Sequence, residues 1–254
     1  MHLEHEIDVA RRAAGLAAET ALRYFRSGIG ADTKTDGSPV TEADRECERA
    51  VAALIEETFP DDGVLGEEGA SKPSRGGRRW IIDPIDGTRD FLRGNRFWAT
   101  LIGLEIDGDV AVGVAGFPAL GETYWAARGA GAFQDDRQLR VSSVGRLSES
   151  VLCVDCLNSL HTTAFGGRFP EWMRQFWAVR SFGGAPDAVL VAAGRAEVWI
   201  EPAAKCWDLA PLKILAEEAG GRFWNLDGGS SIHGGSCVIS TPALEAEVRR
   251  FLAG

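Results

Sequence analysis

Asp83 and Asp86 follow the apolar run Trp80-Ile81-Ile82 and precede Gly87-Thr88. The run has the composition of a buried strand. The strand end then delivers Asp83, and Pro84, which has no N–H, interrupts the ladder there. Carboxylates three positions apart at a strand end can share one or two hard cations. If Gly87 and Thr88 open a turn or short helix, their amides would hold an anion beside those cations. Gly66-Glu67-Glu68-Gly69 sets paired acids in a glycine-flanked turn, either as ligands or as a solvated surface pair. Asp208 follows Trp207 at a helix start, where it is either a ligand or a plain N-cap. Gathering such acids without cations would cost roughly 4 kcal/mol per close pair at an effective dielectric near 20. Several pairs would rival the stability of a whole domain, and metal ions remove that cost.

The positioning elements show as periodicities. Apolar spacing predicts helices over 7–25 and 41–59, joined by a polar loop at 31–39. Residues 67–79, rich in Gly, Ser and basic side chains, predict a mobile loop. Runs with β character cover 98–106, 110–117 and 123–126, and Asp107-Gly108 marks a hairpin between the first two. The second half predicts strands at 151–155, 198–200, 223–224 and 238–239. It also predicts helices at 186–193, 207–219 and 242–252, with Gly220-Gly221 as a C-cap. Strands first and alternating elements later give a layered α/β (α+β) protein. We take it as one catalytic unit over 1–254, with halves at about 1–145 and 146–254.

The 254 residues are 45% hydrophobic and 25% charged, with a net charge of −10. That charge argues against a nucleic-acid or anionic-membrane partner. It would repel a phosphate ester too, unless a local cation reverses the sign. No apolar run approaches the roughly 20 residues a bilayer needs. The acid-interrupted N-terminus reads as an amphipathic helix rather than a signal peptide. Five cysteines give no disulfide framework and suit a reducing cytoplasm. Cys153 and Cys156 form a CxxC within an apolar strand, where a spacing of three points them to opposite faces; a structural role is expected.

The ordered set GEEG, WIIDPIDGTRDF and WDLAPLKILAEEAGG resembles the inositol monophosphatase family of magnesium-dependent, lithium-sensitive phosphatases. The likeness spans nearly the whole chain, from Lys34 and the Thr41-Glu42-Ala43-Asp44 segment to Gly221. It implies alternating α-β-α-β-α layers, a homodimer, and two or three Mg2+ ions. Glu67 and Asp83, with the Ile85 carbonyl, would bind the first ion. Asp83, Asp86 and Asp208 would bind the second, and a looser third would share Glu67. Gly87 and Thr88 would cradle the phosphate, and Thr88, linked to Asp44, would orient and deprotonate the attacking water. Glu201 matches the position that contacts substrate hydroxyls. Metal ions of this kind lower the pKa of water, neutralise phosphoryl charge and support the leaving oxygen. No histidine is needed, and His2, His5, His161 and His233 read as structural.

The segments 88–94 and 98–102 are similar to the histidinol-phosphate phosphatase branch. In Arg180-Ser181-Phe182-Gly183-Gly184-Ala185, Gly184 stands where inositol-type members tend to carry Ser or Thr, so a contact to a polyol is missing. Asp187 either joins Glu201 in attracting a cationic amino alcohol or merely starts a helix. Other esters of the family remain alternatives: inositol 1-phosphate, fructose 1,6-bisphosphate and 3′-phosphoadenosine 5′-phosphate. Segment 157–180 matches no pattern, and its Trp172, Phe176 and Trp177 either cover a substrate or pack a core or dimer contact. A haloacid-dehalogenase-type phosphatase needs aspartates two apart rather than three. A structural calcium site leaves Glu67, Thr88 and Asp208 unexplained. Neither GxSxG nor a Walker A motif occurs.

Overall fold

The computed structural model describes residues 3–35 and 37–253. The chain opens with two helices, α1 (Glu4–Tyr24) and α2 (Glu42–Thr58), flanking a ribbon of β1 (Asp32–Thr33) and β2 (Pro39–Val40). A reciprocal capping box fixes the start of α2. The Thr41 hydroxyl accepts from the amides of Ala43 and Asp44, and the Asp44 carboxylate accepts from the Thr41 N–H at 2.7 Å.

An eight-stranded sheet follows, comprising β3 (Gly63–Gly66), β4 (Ser71–Lys72), β5 (Arg78–Asp86), β6 (Ala99–Ile106), β7 (Asp109–Phe117), β8 (Glu122–Ala127), β9 (Gly131–Gln134) and β10 (Arg137–Gln138). Its order is β10-β9-β8-β7-β6-β5-β3-β4, with β3 and β5 parallel. The six-residue helix α3 (Thr88–Arg93) leaves the end of β5. Asp107 and Gly108 both take positive φ, the geometry of the expected tight hairpin.

A second sheet contains β11 (Val151–Val154), β12 (Ala178–Arg180), β13 (Val198–Glu201), β14 (Arg222–Trp224) and β15 (Cys237–Ser240), in the order β12-β11-β13-β15-β14. Around it lie α4 (Phe169–Met173), α5 (Gly184–Ala192), α6 (Cys206–Glu218) and α7 (Glu245–Ala253).

Period-two alternation divides the apolar residues among three cores. Ile82, Ile102 and Val112 face α1 and α2. Ile81, Leu101 and Ala115 face the other way, joining α5, α6 and the Trp199 face of the second sheet. Leu152, Val154, Val198 and Ile200 bury the far face of that sheet, with α4 and α7. The result is the expected α-β-α-β-α stack. The middle helix layer lies close to the first sheet because Gly103 and Gly113, opposite one another on β6 and β7, leave room for α6. A Cβ on Gly103 would sit 2.6 Å from the Ala210 Cβ, and one on Gly113 2.7 Å from the Pro211 Cα.

Several local expectations need correcting. Residues 67–79 are tied down: they contain β4 and the first residues of β5, and the buried Glu48 carboxylate accepts from the Glu68 and Ala70 amides at 2.7 Å each. Charged and glycine-rich composition concealed that anchoring. Strand β5 runs on to Asp86, with its ladder shifting register between Asp83 and Asp86, rather than ending at Pro84. Strand β11 stops at Val154, and Cys156 lies beyond it with φ +52, so the CxxC is not contained in one strand. Trp172 and Phe176 are core residues; Trp172 stacks on Phe251 of α7 at a 4.0 Å centroid distance. Trp177 is 73% exposed. No helix among the described residues is long and apolar enough to cross a membrane.

Candidate active site

Four chain segments converge on one cavity of about 310 Å³. Strand β5 contributes Asp83, Ile85 and Asp86, and the β5–α3 turn contributes Gly87 and Thr88. Glu67 comes from the turn after β3, and Asp208 from the first turn of α6. Asp83, Asp86 and Asp208 each offer a carboxylate oxygen, and these oxygens all lie within 4.8 Å of one another.

Backbone amides fix the three carboxylates. Asp83 Oδ1 accepts from the Ile85 N–H at 3.0 Å, Asp86 Oδ2 from the Ala185 N–H at 3.1 Å, and Asp208 Oδ2 from the Lys205 N–H at 2.7 Å. Asp208 is thus the third helical residue reaching back to the amide before α6, so its capping and its place in the cluster coexist. Gly87 takes φ +86, which glycine adopts without strain, and a Cβ there would also approach the Phe97 carbonyl oxygen at 3.0 Å.

Burial and mutual repulsion raise all three carboxyl groups. Asp83, only 2% exposed, is pushed well up by burial and then by the charge of Glu67. Asp86 is raised to about 8 by burial and then by Asp208, and Asp208 to about 6, chiefly by burial. None of the three forms an ion pair among the described residues. Unpaired, converging, oxygen-only donors suit a hard divalent cation.

Glu67 lines the same cavity but is not among the three oxygens that meet within 4.8 Å. Lys34 Nζ donates to Glu67 at 2.7 Å and to Glu68 at 2.6 Å, and both acids hold the lysine's pKa above its usual value. The Thr88 hydroxyl lies 3.2 Å from the Ile85 carbonyl oxygen and 3.5 Å from Asp44 Oδ1. Asp44 is buried, and that burial raises its pKa.

Glu201, at the end of β13, is buried and raised to about 9, first by burial and then by the charge of Asp155. Asp155, Cys156 and Glu201 form a second group whose ligand atoms lie within 4.8 Å of one another, and Asp155 lines the main cavity. Sequence reasoning missed Asp155. An acid at the C-terminal end of a short apolar strand is a weak signal, and only the pairing of β11 with β13 gives it meaning. Asp187 does not join this group. Its carboxylate accepts from the Phe182 and Gly183 amides at 3.0 to 3.3 Å and holds the turn into α5, which corrects the substrate-contact alternative. His5 packs on Phe59, His233 bonds Glu105, and His161 sits in a short 3₁₀ turn; His2 lies outside the described residues. A larger open groove of about 790 Å³ between α1 and β7–β8 contains no comparable cluster of acids among the described residues.

Fold and sequence agree with known proteins. Residues 2–251 match the inositol monophosphatase family, and the chain belongs to that family. It is therefore a phosphatase, a phosphoric monoester hydrolase. It is 42% identical to a histidinol-phosphatase of Mycobacterium tuberculosis over 90% of both chains. To an inositol-1-monophosphatase of Mesorhizobium japonicum it is 35% identical, over 94% of this chain and 92% of the other. The crystal structure of the extragenic suppressor protein suhB from Bartonella henselae superposes with a TM-score of 0.90 at 29% identity, over 98% of each chain.

Proposed function

We propose that this phosphatase is magnesium-dependent and hydrolyses histidinol phosphate to histidinol. The observation that carries the metal reading is the convergence of the Asp83, Asp86 and Asp208 oxygens within 4.8 Å, none of the three in an ion pair among the described residues. In this reading Glu67, Asp83 and the Ile85 carbonyl hold one ion, and Asp83, Asp86 and Asp208 hold another. A third ion, if bound, shares Glu67. Bound Mg2+ would supply charge neutralisation at the phosphoryl oxygens and acidify the attacking water.

The chain's own groups do the rest. Gly87, the N-cap residue of α3, and Thr88, its first residue, offer amides with no intrahelical partner to the phosphate oxygens. Thr88 Oγ1 accepts a proton from the attacking water and passes its own to Asp44 Oδ1, whose neighbouring Oδ2 is already held by the Thr41 N–H. Glu201 contacts the alcohol part of the ester. The likeness to a histidinol-phosphatase supports the choice of substrate, as does Gly184, which offers no hydroxyl to a polyol. Two further features come from the resemblance: lithium inhibition and a homodimer, checked by a LiCl titration and by light scattering.

The test is phosphate release with and without Mg2+ from histidinol phosphate, inositol 1-phosphate, fructose 1,6-bisphosphate and 3′-phosphoadenosine 5′-phosphate. The reading expects Mg2+-dependent turnover with the highest kcat/KM for histidinol phosphate. A preference for the inositol ester would overturn the substrate. Turnover of none would overturn the enzyme and favour a divalent-cation-binding domain.

A further inference from the structure

Asp155 and Glu201 are two carboxylates the metal reading leaves over. Glu201 ends β13, Asp155 follows the last residue of β11, and β11 and β13 pair in parallel with Val154 opposite Ile200. Oxygens of the two lie within 4.8 Å of each other and of Cys156 Sγ. Asp155 is fixed at both oxygens: Oδ1 accepts from the Cys156 N–H at 2.7 Å and Oδ2 from the Gly184 N–H at 2.9 Å. Glu201 Oε1 accepts from the Ala203 N–H at 3.1 Å. Each acid is thus held in place beside the other by backbone amides. Among the described residues no ion pair involves either one.

Asp155 faces the cavity that Asp83, Asp86 and Asp208 line, so what it attracts lies beside the phosphate position. Consecutive amides at the start of α5 connect the two groups, Gly184 N–H to Asp155 and Ala185 N–H to Asp86. A Cβ at residue 184 would lie 3.3 Å from both Asp86 carboxylate oxygens, a tight contact that the glycine avoids.

We propose that Asp155, together with Glu201, receives a cationic group on the alcohol part of the substrate, so that this site selects phosphate esters of amino alcohols over those of neutral polyols. The proposal deepens the function proposed above and rests on it. A primary ammonium carries three N–H donors and suits two oxygen acceptors with free lone pairs. A neutral hydroxyl would bring no charge to balance the Asp155 carboxylate, which faces the cavity beside the buried Glu201. A resident metal fits poorly, because the third corner is the Cys156 thiol. Burial and the charges of Glu201 and Asp155 raise its pKa to about 12, which keeps it protonated and a weak ligand.

The experiment compares wild type with Asp155→Asn on histidinol phosphate and p-nitrophenyl phosphate, both with saturating Mg2+. It also measures inhibition of p-nitrophenyl phosphate hydrolysis by free histidinol. Losing one charge-assisted contact is expected to lower the ratio of kcat/KM values, histidinol phosphate over p-nitrophenyl phosphate, by roughly 10- to 100-fold. Most of that change should fall in KM, and histidinol should become a correspondingly weaker inhibitor. An unchanged ratio with unchanged inhibition overturns the proposal. Equal losses on both esters also overturn it, because they would make Asp155 a general support of the site. Should Asp155→Asn fail to fold by circular dichroism, Glu201→Gln, which leaves the Asp155 contacts in place, is read by the same ratio. Wild-type turnover of histidinol phosphate separates the two claims. Absence of turnover on both esters fells the proposed function and this inference with it, whereas turnover with an unshifted ratio fells the inference alone.

Discussion

Three aspartates from two distant segments meet because backbone amides aim each of them. Removing one charge should damage the proposed metal site more than the fold. Asp86→Asn and Asp208→Asn keep the shape and one acceptor. Each is expected to lower kcat/KM by at least about 100-fold and to weaken the Mg2+-dependent rise in melting temperature. A variant with wild-type turnover would remove that residue from the metal set. Thr88→Val tests a different step. It deletes the hydroxyl that faces Ile85 and Asp44, and should cut kcat by about 100-fold or more while the Mg2+-induced thermal shift persists. Loss of the shift along with turnover would mean Thr88 supports metal binding instead. At this scale Asp83, Asp86, Gly87 and Thr88 were legible because they are neighbours in sequence and their chemistry is local. Asp155 and the Lys34 clamp on Glu67 and Glu68 were not, since each depends on contacts between segments far apart in the chain. Asp187 follows the helix-start reading of its two, because its carboxylate is held by the turn before its own helix.

The elements that carry the site are held at close range. Helix α6 brings Asp208 to β5 by lying on Gly103 and Gly113, where any Cβ would collide with Ala210 or with Pro211 and Ile214. Gly113→Ala should cost about 1–3 kcal/mol of stability through overpacking. It should also raise the Mg2+ concentration needed for half-maximal activity, because the helix and Asp208 are displaced together. Chemical denaturation and a Mg2+ titration measure the two effects. A stability loss without any change in the Mg2+ requirement would uncouple α6 packing from the site. The long amphipathic helices were readable to within a few residues: 7–25 against Glu4–Tyr24, and 41–59 against Glu42–Thr58. The short strands β3, β4, β9 and β10 were not, because two to four residues carry too little periodicity and exist only through their partners. Segment 157–180 stayed opaque for a similar reason. Phe165, Phe169, Trp172 and Phe176 follow a helical i, i+4, i+7, i+11 spacing, but only Phe169–Met173 is α-helical, and these rings become a core only beneath α7.

Across the whole molecule, a net charge of −10 is concentrated partly where it is least comfortable. Folding raises the carboxyl pKa values of Asp208 to about 6, Asp187 to about 7, Asp86 to about 8 and Glu201 to about 9, with burial the leading cause each time. In the unfolded chain these groups titrate near the ordinary carboxylate range. Between the two ranges the metal-free native state therefore binds more protons than the unfolded state, and stability falls as pH rises. Metal-free protein is expected to melt at a higher temperature near pH 6 than near about pH 8.5. Added Mg2+ should recover more at the higher pH, because ligand oxygens must first be deprotonated. Differential scanning fluorimetry with and without EDTA checks this, and a metal-free melting temperature that rises across the span would contradict it. The five-layer architecture was implied by the family resemblance rather than by periodicity. Local patterns showed which segments are strands, but not that they divide into two sheets with α5 and α6 between them.

The most direct measurement is a crystal structure with Mn2+ and inorganic phosphate, read by anomalous scattering at the manganese edge. The account expects manganese peaks ligated by Asp83, Asp86 and Asp208, with phosphate oxygens beside the Gly87 and Thr88 amides. Manganese bound elsewhere, with those three carboxylates left unligated, would contradict it.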